Sequence, residues 1–396
     1  MKALKRARIS KALAMLVSIC ITLIFIEVVL HIVNYPKPTI SGWKTLDSYK
    51  SERHQLGFRG QPIKYQDDDF VIVIVGDSQV EAKACAYGWM PEQRLQFYLN
   101  SNGKKVKVFS LGGPATGQDQ QLLSLQEYYQ KFRADLVILW FTPANDVWNN
   151  TFPSSTPDDR TPKPTFWLEN GQLRGPTELT GQPIRETPTL KIVSLWRKFF
   201  PWSREKEWAR SILPPPYIPL SHYDGVVTDD WQKRFAELPN LRYENFDNDK
   251  NDRAMKLTPR SPRVQYGLEL THRLIQEIQR AAAAHGGQFL MFWVDQDPAA
   301  MKNRVEGSDE IVHLLNGKYY KTSETQYNEN MNYLTEGFTS YVIPVTVDPP
   351  IVGPEDSHMN EHATDQVIKD LAAKIENLVP ARGWSSLSAT NPAGCK

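Results

Sequence analysis

Cysteine is scarce in this chain of 396 residues: it has only Cys20, Cys85 and Cys395. Thiols so far apart form no disulfide framework, and their spacing suggests neither a zinc set nor a redox pair. Charge of one sign is also lacking. The formal net charge is +1, so there is no bulk basic signature for nucleic acid and no acidic one for disorder. No internal repeat is visible. No small-x-small cleavage motif closes the apolar run near the N-terminus. What the chain does have is apolar residues, 41% of the total, enough for a sizeable core. Its length suits either two average domains or one enlarged α/β domain.

The first residues carry a topology signal. Lys2, Lys5, Arg6, Arg8 and Lys11 precede an apolar run from about Ala12 to Val33, close to the ~20 residues that span a bilayer. The expectation is a cytoplasmic basic flank over 1–11 and a transmembrane signal anchor over 12–33, with the rest exported. A cleaved signal peptide is the alternative. Glu27 and His31 are costly in lipid, but both lie towards the exit end of the run. Residues 34–69 are polar and Pro-containing and read as a membrane-proximal linker.

Beyond the linker, Val71-Ile72-Val73-Ile74-Val75 is a β-branched run that stops at Gly76-Asp77-Ser78-Gln79. Such a run reads as a strand buried on both faces, as in a parallel sheet. Strands are also expected at Val106–Ser110, Leu136–Phe141, Phe289–Val294 and Tyr341–Val345, and helices at Pro91–Leu99, Asp119–Lys131, Val264–His285 and Val367–Leu378. Gly286-Gly287 marks the end of the third of these helices. The alternation is that of a doubly wound α/β domain, here placed over 70–379. Periodicity fails between 148 and 262, a Pro-rich insertion with Trp167, Trp196, Trp202, Trp208 and Trp231. Within it, Asn170-Gly171 signals a hairpin and Leu190–Phe200 a short amphipathic helix. The tryptophans suit either core packing or a platform for sugar rings. A loose tail is expected over 380–396.

In open α/β sheets, ligands bind outside the carboxyl ends of the strands. Ser78 and Asn145 fall at such ends, and Glu355-Asp356-Ser357-His358-Met359-Asn360 comes after the last strand. A serine at a strand end, a histidine and a carboxylate are the parts of a nucleophilic triad. Each also has a simpler use: Ser78 or Asp356 as a helix cap, Asn145 as a turn residue, His358 as a surface histidine.

Taken in order, these segments resemble the blocks of the SGNH/GDSL hydrolase family. Gly76-Asp77-Ser78 is similar to its first block, with Gln79 where the name has leucine. Leu111-Gly112-Gly113-Pro114-Ala115-Thr116-Gly117-Gln118-Asp119-Gln120 resembles the second, Asn145-Asp146 the third and Asp356-Ser357-His358-Met359-Asn360 the last. The resemblance covers about 70–378 and is loose over the insertion. It implies a flavodoxin-like three-layer α/β/α sandwich with a parallel sheet, the SGNH hydrolase fold, and an ester-cleaving serine enzyme without metal or organic cofactor. By the same token Ser78 is the nucleophile, His358 the base and Asp356 its orienting carboxylate. The Ser78 and Ala115 N–H groups and the Asn145 amide are the oxyanion donors. Alanine stands where the second block has glycine, and its N–H serves only if its φ is not positive. Pro143 replaces a glycine of the third block. Glu355 is the rival partner for His358, and His362 the lesser candidate for the base. Some branches act on polysaccharide acyl groups, so an acylated envelope glycan is the implied substrate. The alternatives are O-acyl transfer to a glycan by the same triad, and a non-catalytic glycan-binding or scaffold role among envelope proteins.

Overall fold

The first strand forms on the β-branched run Val71–Val75. In the computed structural model, β1 (Phe70–Gly76), β2 (Val106–Gly112), β3 (Leu136–Phe141), β4 (Trp167–Glu169), β5 (Gln172–Arg174), β6 (Leu257–Thr258), β7 (Gln288–Asp295), β8 (Glu310–Leu315), β9 (Lys318–Ser323), β10 (Ser340–Pro344), β11 (Ile351–Gly353) and β12 (Asp356–Met359) alternate with helices. The helices are α1 (Lys2–Ile32), α2 (Ser78–Glu81), α3 (Pro91–Ser101), α4 (Gln118–Tyr129), α5 (Asp146–Thr151), α6 (Pro262–Ala284), α7 (Glu324–Thr335) and α8 (Glu361–Leu378). The structure describes residues 2–33, 52–101, 103–143, 145–151, 163–176, 190–193, 195, 255–258, 260, 262–295, 310–315, 318–353 and 356–379. Trp196, Trp202, Trp208 and Trp231, most of the expected 190–200 helix, Glu355 and the 380–396 tail lie outside them. The chain divides into two units: Met1–Ser41 with Thr180–Arg210, and Gly42–Leu179 with Ser211–Lys396.

In the larger unit the central sheet has the order β10-β7-β3-β1-β2, and every pairing in it is parallel. Numbering only these strands along the chain gives 2-1-3-4-5, the flavodoxin order. All of β1 and β3 is buried, and each fully buried Val or Ile contributes about 1.5–3 kcal/mol. Helices α3 and α8 pack on one face, with Leu95, Leu99, Val367, Ile368, Leu371 and Ile375 entering one core with Ile72, Ile74 and Ile138. Helices α4, α5 and α6 pack together on the other. The result is the three-layer α/β/α sandwich that the resemblance implied, on the doubly wound order that the strand alternation implied. The direction of winding reverses between β1 and β3, which opens a crevice at their carboxyl ends.

The other expected elements differ mostly at their boundaries. Helix α8 begins at Glu361 rather than Val367, because Asn360 caps it: its Oδ1 accepts from Ala363 N at 2.9 Å. Asn170 and Gly171 have φ of 52° and 73°, the type I′ signature, and join β4 to β5. Two expectations change. Residues 52–69 are not a linker but part of the folded unit: Leu56, Phe58 and Ile63 are buried. These apolar residues are isolated among polar neighbours, so no periodicity betrayed them. The region placed inside an irregular insertion also begins and ends with regular structure. Trp148 lies buried in α5, and β6 pairs with β9 of the antiparallel sheet β6-β9-β8.

In the smaller unit, Leu13–Ile32 of α1 is long and apolar enough to cross a membrane. Glu27 does not stand alone in it. Its carboxylate accepts the backbone N–H of Lys191 at 2.7 Å and of Ile192 at 2.8 Å, and lies 3.0 Å from His31 Nε2.

Candidate active site

Ser78 opens the one-turn helix α2 directly beyond β1. Two glycines let this turn lie against the sheet edge. A Cβ on Gly76 would come within 2.4 Å of Val80 Cγ2, and one on Gly112 within 2.3 Å of Glu81 N. Asp77 is the N-cap: its Oδ1 accepts from Gln79 N at 2.9 Å. The same buried carboxylate accepts from Thr142 Oγ1 at 3.1 Å and Asn145 Nδ2 at 3.0 Å. Asp77 thus joins the strand ends of β1 and β3.

The histidine arrives on a separate hairpin, β11–β12. Asp356 and His358 are two residues apart on β12. Alternate side chains of a strand share a face, so the Asp-x-His spacing aligns the two. His358 Nδ1 lies 2.5 Å from Asp356 Oδ1, and Nε2 lies 2.9 Å from Ser78 Oγ. The tautomer that satisfies both contacts carries its proton on Nδ1 and accepts the Ser78 hydroxyl at Nε2. The hydrogen bonds from the His358 side chain and backbone hold the Asp356 carboxyl below the usual carboxylate range. These two side chains are 40% and 45% exposed, so the histidine faces solvent. Gln79 stitches hairpin to helix, its Oε1 accepting Met359 N at 3.4 Å. His362 lies elsewhere, edge-on to Trp89 with ring centroids 6.1 Å apart.

The expected oxyanion donors are placed unequally. No partner for the Ser78 or Ala115 N–H is found among the described residues. Ala115 has φ 52°, the left-handed region that the sequence expectation had set as unfavourable for this role. Thr116 Oγ1, 3.1 Å from Gly76 O and 2.9 Å from Gly113 O, ties this loop to the end of β1. Asn145 is beside Asp77, but its Nδ2 also donates to Asn149 Oδ1 at 2.9 Å, so both amide hydrogens are engaged.

Sequence reasoning missed the polar network beneath the serine. Asp146 Oδ2 accepts from Thr142 N at 2.8 Å and Gln118 Nε2 at 2.7 Å. Asn150 Nδ2 donates to Gln118 Oε1 at 2.6 Å and Thr271 Oγ1 at 2.8 Å, and its Oδ1 accepts from Asp119 N at 3.2 Å. Lys163 Nζ bonds Asp119 Oδ2, and both side chains are buried. Burial pushes the Asp77 carboxyl up and pushes that of Asp146 well above the usual range, with the Asp77 charge adding to the second shift. Two carboxylates in one dry site cannot both ionise freely. A polar run at a helix start reads as capping and surface, so nothing in Gln118-Asp119-Gln120 announced burial. Among the described residues no group of three or more His, Cys, Asp or Glu side chains is placed to hold a metal ion.

No protein-family model matches the chain, and no curated protein matches it. Solved structures do align with it. An acetyl xylan esterase from the rumen bacterium Butyrivibrio proteoclasticus matches at 9% identity and a TM-score of 0.35, over 82% of this chain and 67% of that one. A carbohydrate acetylesterase from Sinorhizobium meliloti matches at 9% identity and a TM-score of 0.33, over 78% of this chain and 99% of that one. Superpositions this loose support no substrate and no mechanism. The strand order is the firmer ground: by its 2-1-3-4-5 sheet and its two helical layers, the larger unit has the fold that the resemblance to SGNH/GDSL hydrolases implies.

Proposed function

We propose that this protein is a serine ester hydrolase whose nucleophile is Ser78. The observation that carries the reading is the continuous chain from Ser78 Oγ through His358 Nε2 and Nδ1 to Asp356 Oδ1, at 2.9 and 2.5 Å. In this reading Ser78 attacks an ester carbonyl while His358 takes its proton. Asp356, ionised throughout the neutral range, stabilises the imidazolium. The oxyanion meets the N–H group of Ser78 and the Asn145 amide, which exchanges its bond to Asn149 for one to the substrate; Ala115, at φ 52°, is left out of the set. Each such donor contributes about 10²–10³ in rate. His358 then protonates the leaving alcohol, and water, activated by the same histidine, releases the acyl group from Ser78. Exposure of the dyad favours water as the acceptor over an excluded-solvent transfer. On the sequence resemblance, the substrate is an O-acyl ester, with an acylated envelope glycan the first to try. The Leu13–Ile32 helix would hold the enzyme in the membrane with the larger unit on the outer side.

The test is fluorophosphonate labelling and ester turnover of the full chain in detergent. Ser78→Ala is expected to abolish labelling and lower turnover by at least about 10⁴-fold with an unchanged thermal midpoint. Wild-type turnover in that variant would discard the mechanism.

A further inference from the structure

We propose that Arg59 is a positioning residue for Ser78: its buried guanidinium clamps the carbonyl oxygens where the nucleophile helix ends and so sets where the serine stands. The inference rests on the reading of Ser78 given above. Arg59 lies in the 52–69 segment and is 2% exposed. Its Nη1 donates to Ala82 O at 2.5 Å and Glu81 O at 3.3 Å, and its Nη2 to Cys85 O at 3.0 Å. Nε is directed to Glu52 Oε2 at 2.8 Å. The arginine is itself fixed to the sheet, since Ser110 Oγ in β2 donates to Arg59 O at 2.6 Å.

The helix needs such a clamp. With four residues, α2 is a single turn, too short to gain from helical cooperativity. The carbonyls at its end have no intrahelical partner. Asp77 serves its start. Its end is Ala82, left-handed at φ 48°, ψ 46°, a conformation that a non-glycine residue adopts only at a cost. Arg59 bonds this carbonyl, which also accepts Cys85 N at 2.9 Å, together with the Glu81 and Cys85 carbonyls, and so ties the two sides of the turn to one rigid group.

The clamped loop also reaches the helix that follows the histidine strand. Ala86 N donates to Glu361 Oε1 at 2.7 Å, and Cys85 Sγ lies 3.6 Å from Thr364 Oγ1. Both partners belong to α8, which follows β12 with only Asn360 between. A shift of the 82–86 loop would therefore displace Ser78 and His358 relative to each other, and reacting geometry tolerates little displacement.

The experiment measures kcat and KM for an activated acetyl ester, the fluorophosphonate labelling rate and the thermal midpoint. It uses the full chain in detergent with Arg59→Met, Arg59→Lys and Ser78→Ala. Arg59→Met is expected to lower kcat and labelling by about 10–100-fold with KM within about threefold, and Arg59→Lys to restore part of the loss. Folded Arg59→Met with wild-type kcat overturns the inference. Should Arg59→Met not fold, Arg59→Lys decides: reduced kcat at a near-native midpoint supports the clamp, and unchanged kcat overturns it. Turnover surviving in Ser78→Ala would discard the nucleophile assignment itself. Turnover lost there but kept in folded Arg59→Met would discard Arg59 alone.

Discussion

The two halves of the proposed triad are held in opposite ways. Ser78 stands on a framework of buried Asp77, Gly76 and Gly112 with half-buried Thr142, at the edge of a sheet in which β1 and β3 are wholly buried. His358 and Asp356 stand on a short hairpin outside that sheet, half exposed. That hairpin enters the core only through Met359 and is otherwise fastened by a few polar bonds: Asn360 Nδ2 to Pro349 O at 2.7 Å, Asn360 N to Pro350 O at 3.1 Å, and Gln79 to Met359. Core burial makes the first half rigid. The second half has one core anchor, Met359, and otherwise depends on local hydrogen bonds, each worth about 1 kcal/mol. Changes beneath the serine should therefore appear first in stability, and changes on the hairpin first in turnover.

The largest effect expected on the hairpin is from Asp356→Asn. Losing the charge that stabilises the imidazolium should lower kcat by about 10²–10⁴-fold, while the thermal midpoint stays within a degree or two because the site is open to water. A midpoint drop without a rate loss would reverse the contrast. Lys163→Met tests the other half. It leaves Asp119 buried without its partner, so a loss of about 3–5 kcal/mol is expected in denaturant unfolding. Adding Asp119→Asn should recover most of that loss.

The third test uses pH. Glu92 is buried, accepts from Gln61 N at 2.6 Å and Ser110 N at 2.9 Å, and burial raises its pKa from 4.5 to about 7. A carboxyl raised on folding stabilises fully below its unfolded pKa and loses that contribution as pH rises through the folded value. The thermal midpoint should thus fall between pH 5 and 8, by up to about 3 kcal/mol of stability, and Glu92→Gln should flatten the slope. An equal slope in both proteins would remove Glu92 from the account. The smallest effect belongs to Asn360→Ala. Losing the α8 cap should cost about 1 kcal/mol and, by loosening the hairpin, reduce kcat several-fold more than it affects KM.

Much of the nucleophile side was legible because burial leaves a pattern. The run Val71–Val75 announced β1, and its stop at Gly76-Asp77-Ser78 announced the strand end. Asp356-x-His358 was legible only through the resemblance to the last family block; that it lies on a strand, where this spacing aligns two side chains, the sequence did not announce. What remained hidden was polar and nonlocal. Arg59 sits in a stretch that composition marks as linker, and it acts 22 to 26 residues along the chain. Lys163 and Asp119 are ordinary surface residue types until packing encloses them. The sign of the Ala115 φ was the condition the sequence set on its role as a donor, and only the folded loop, at φ 52°, decided it.

The sequence by itself determined the layers, the apolar N-terminal helix and the strand ends at which reactive groups gather, since hydrophobic periodicity and glycine placement are local properties of the chain. Only the tertiary structure decided which groups meet. It carried His358 across 280 residues to within 2.9 Å of Ser78, committed the Asn145 amide to Asp77 and Asn149, and folded Arg59 under the nucleophile turn. Contacts between distant segments depend on how complete surfaces pack and on where buried polar groups find partners, and no short stretch of sequence records that.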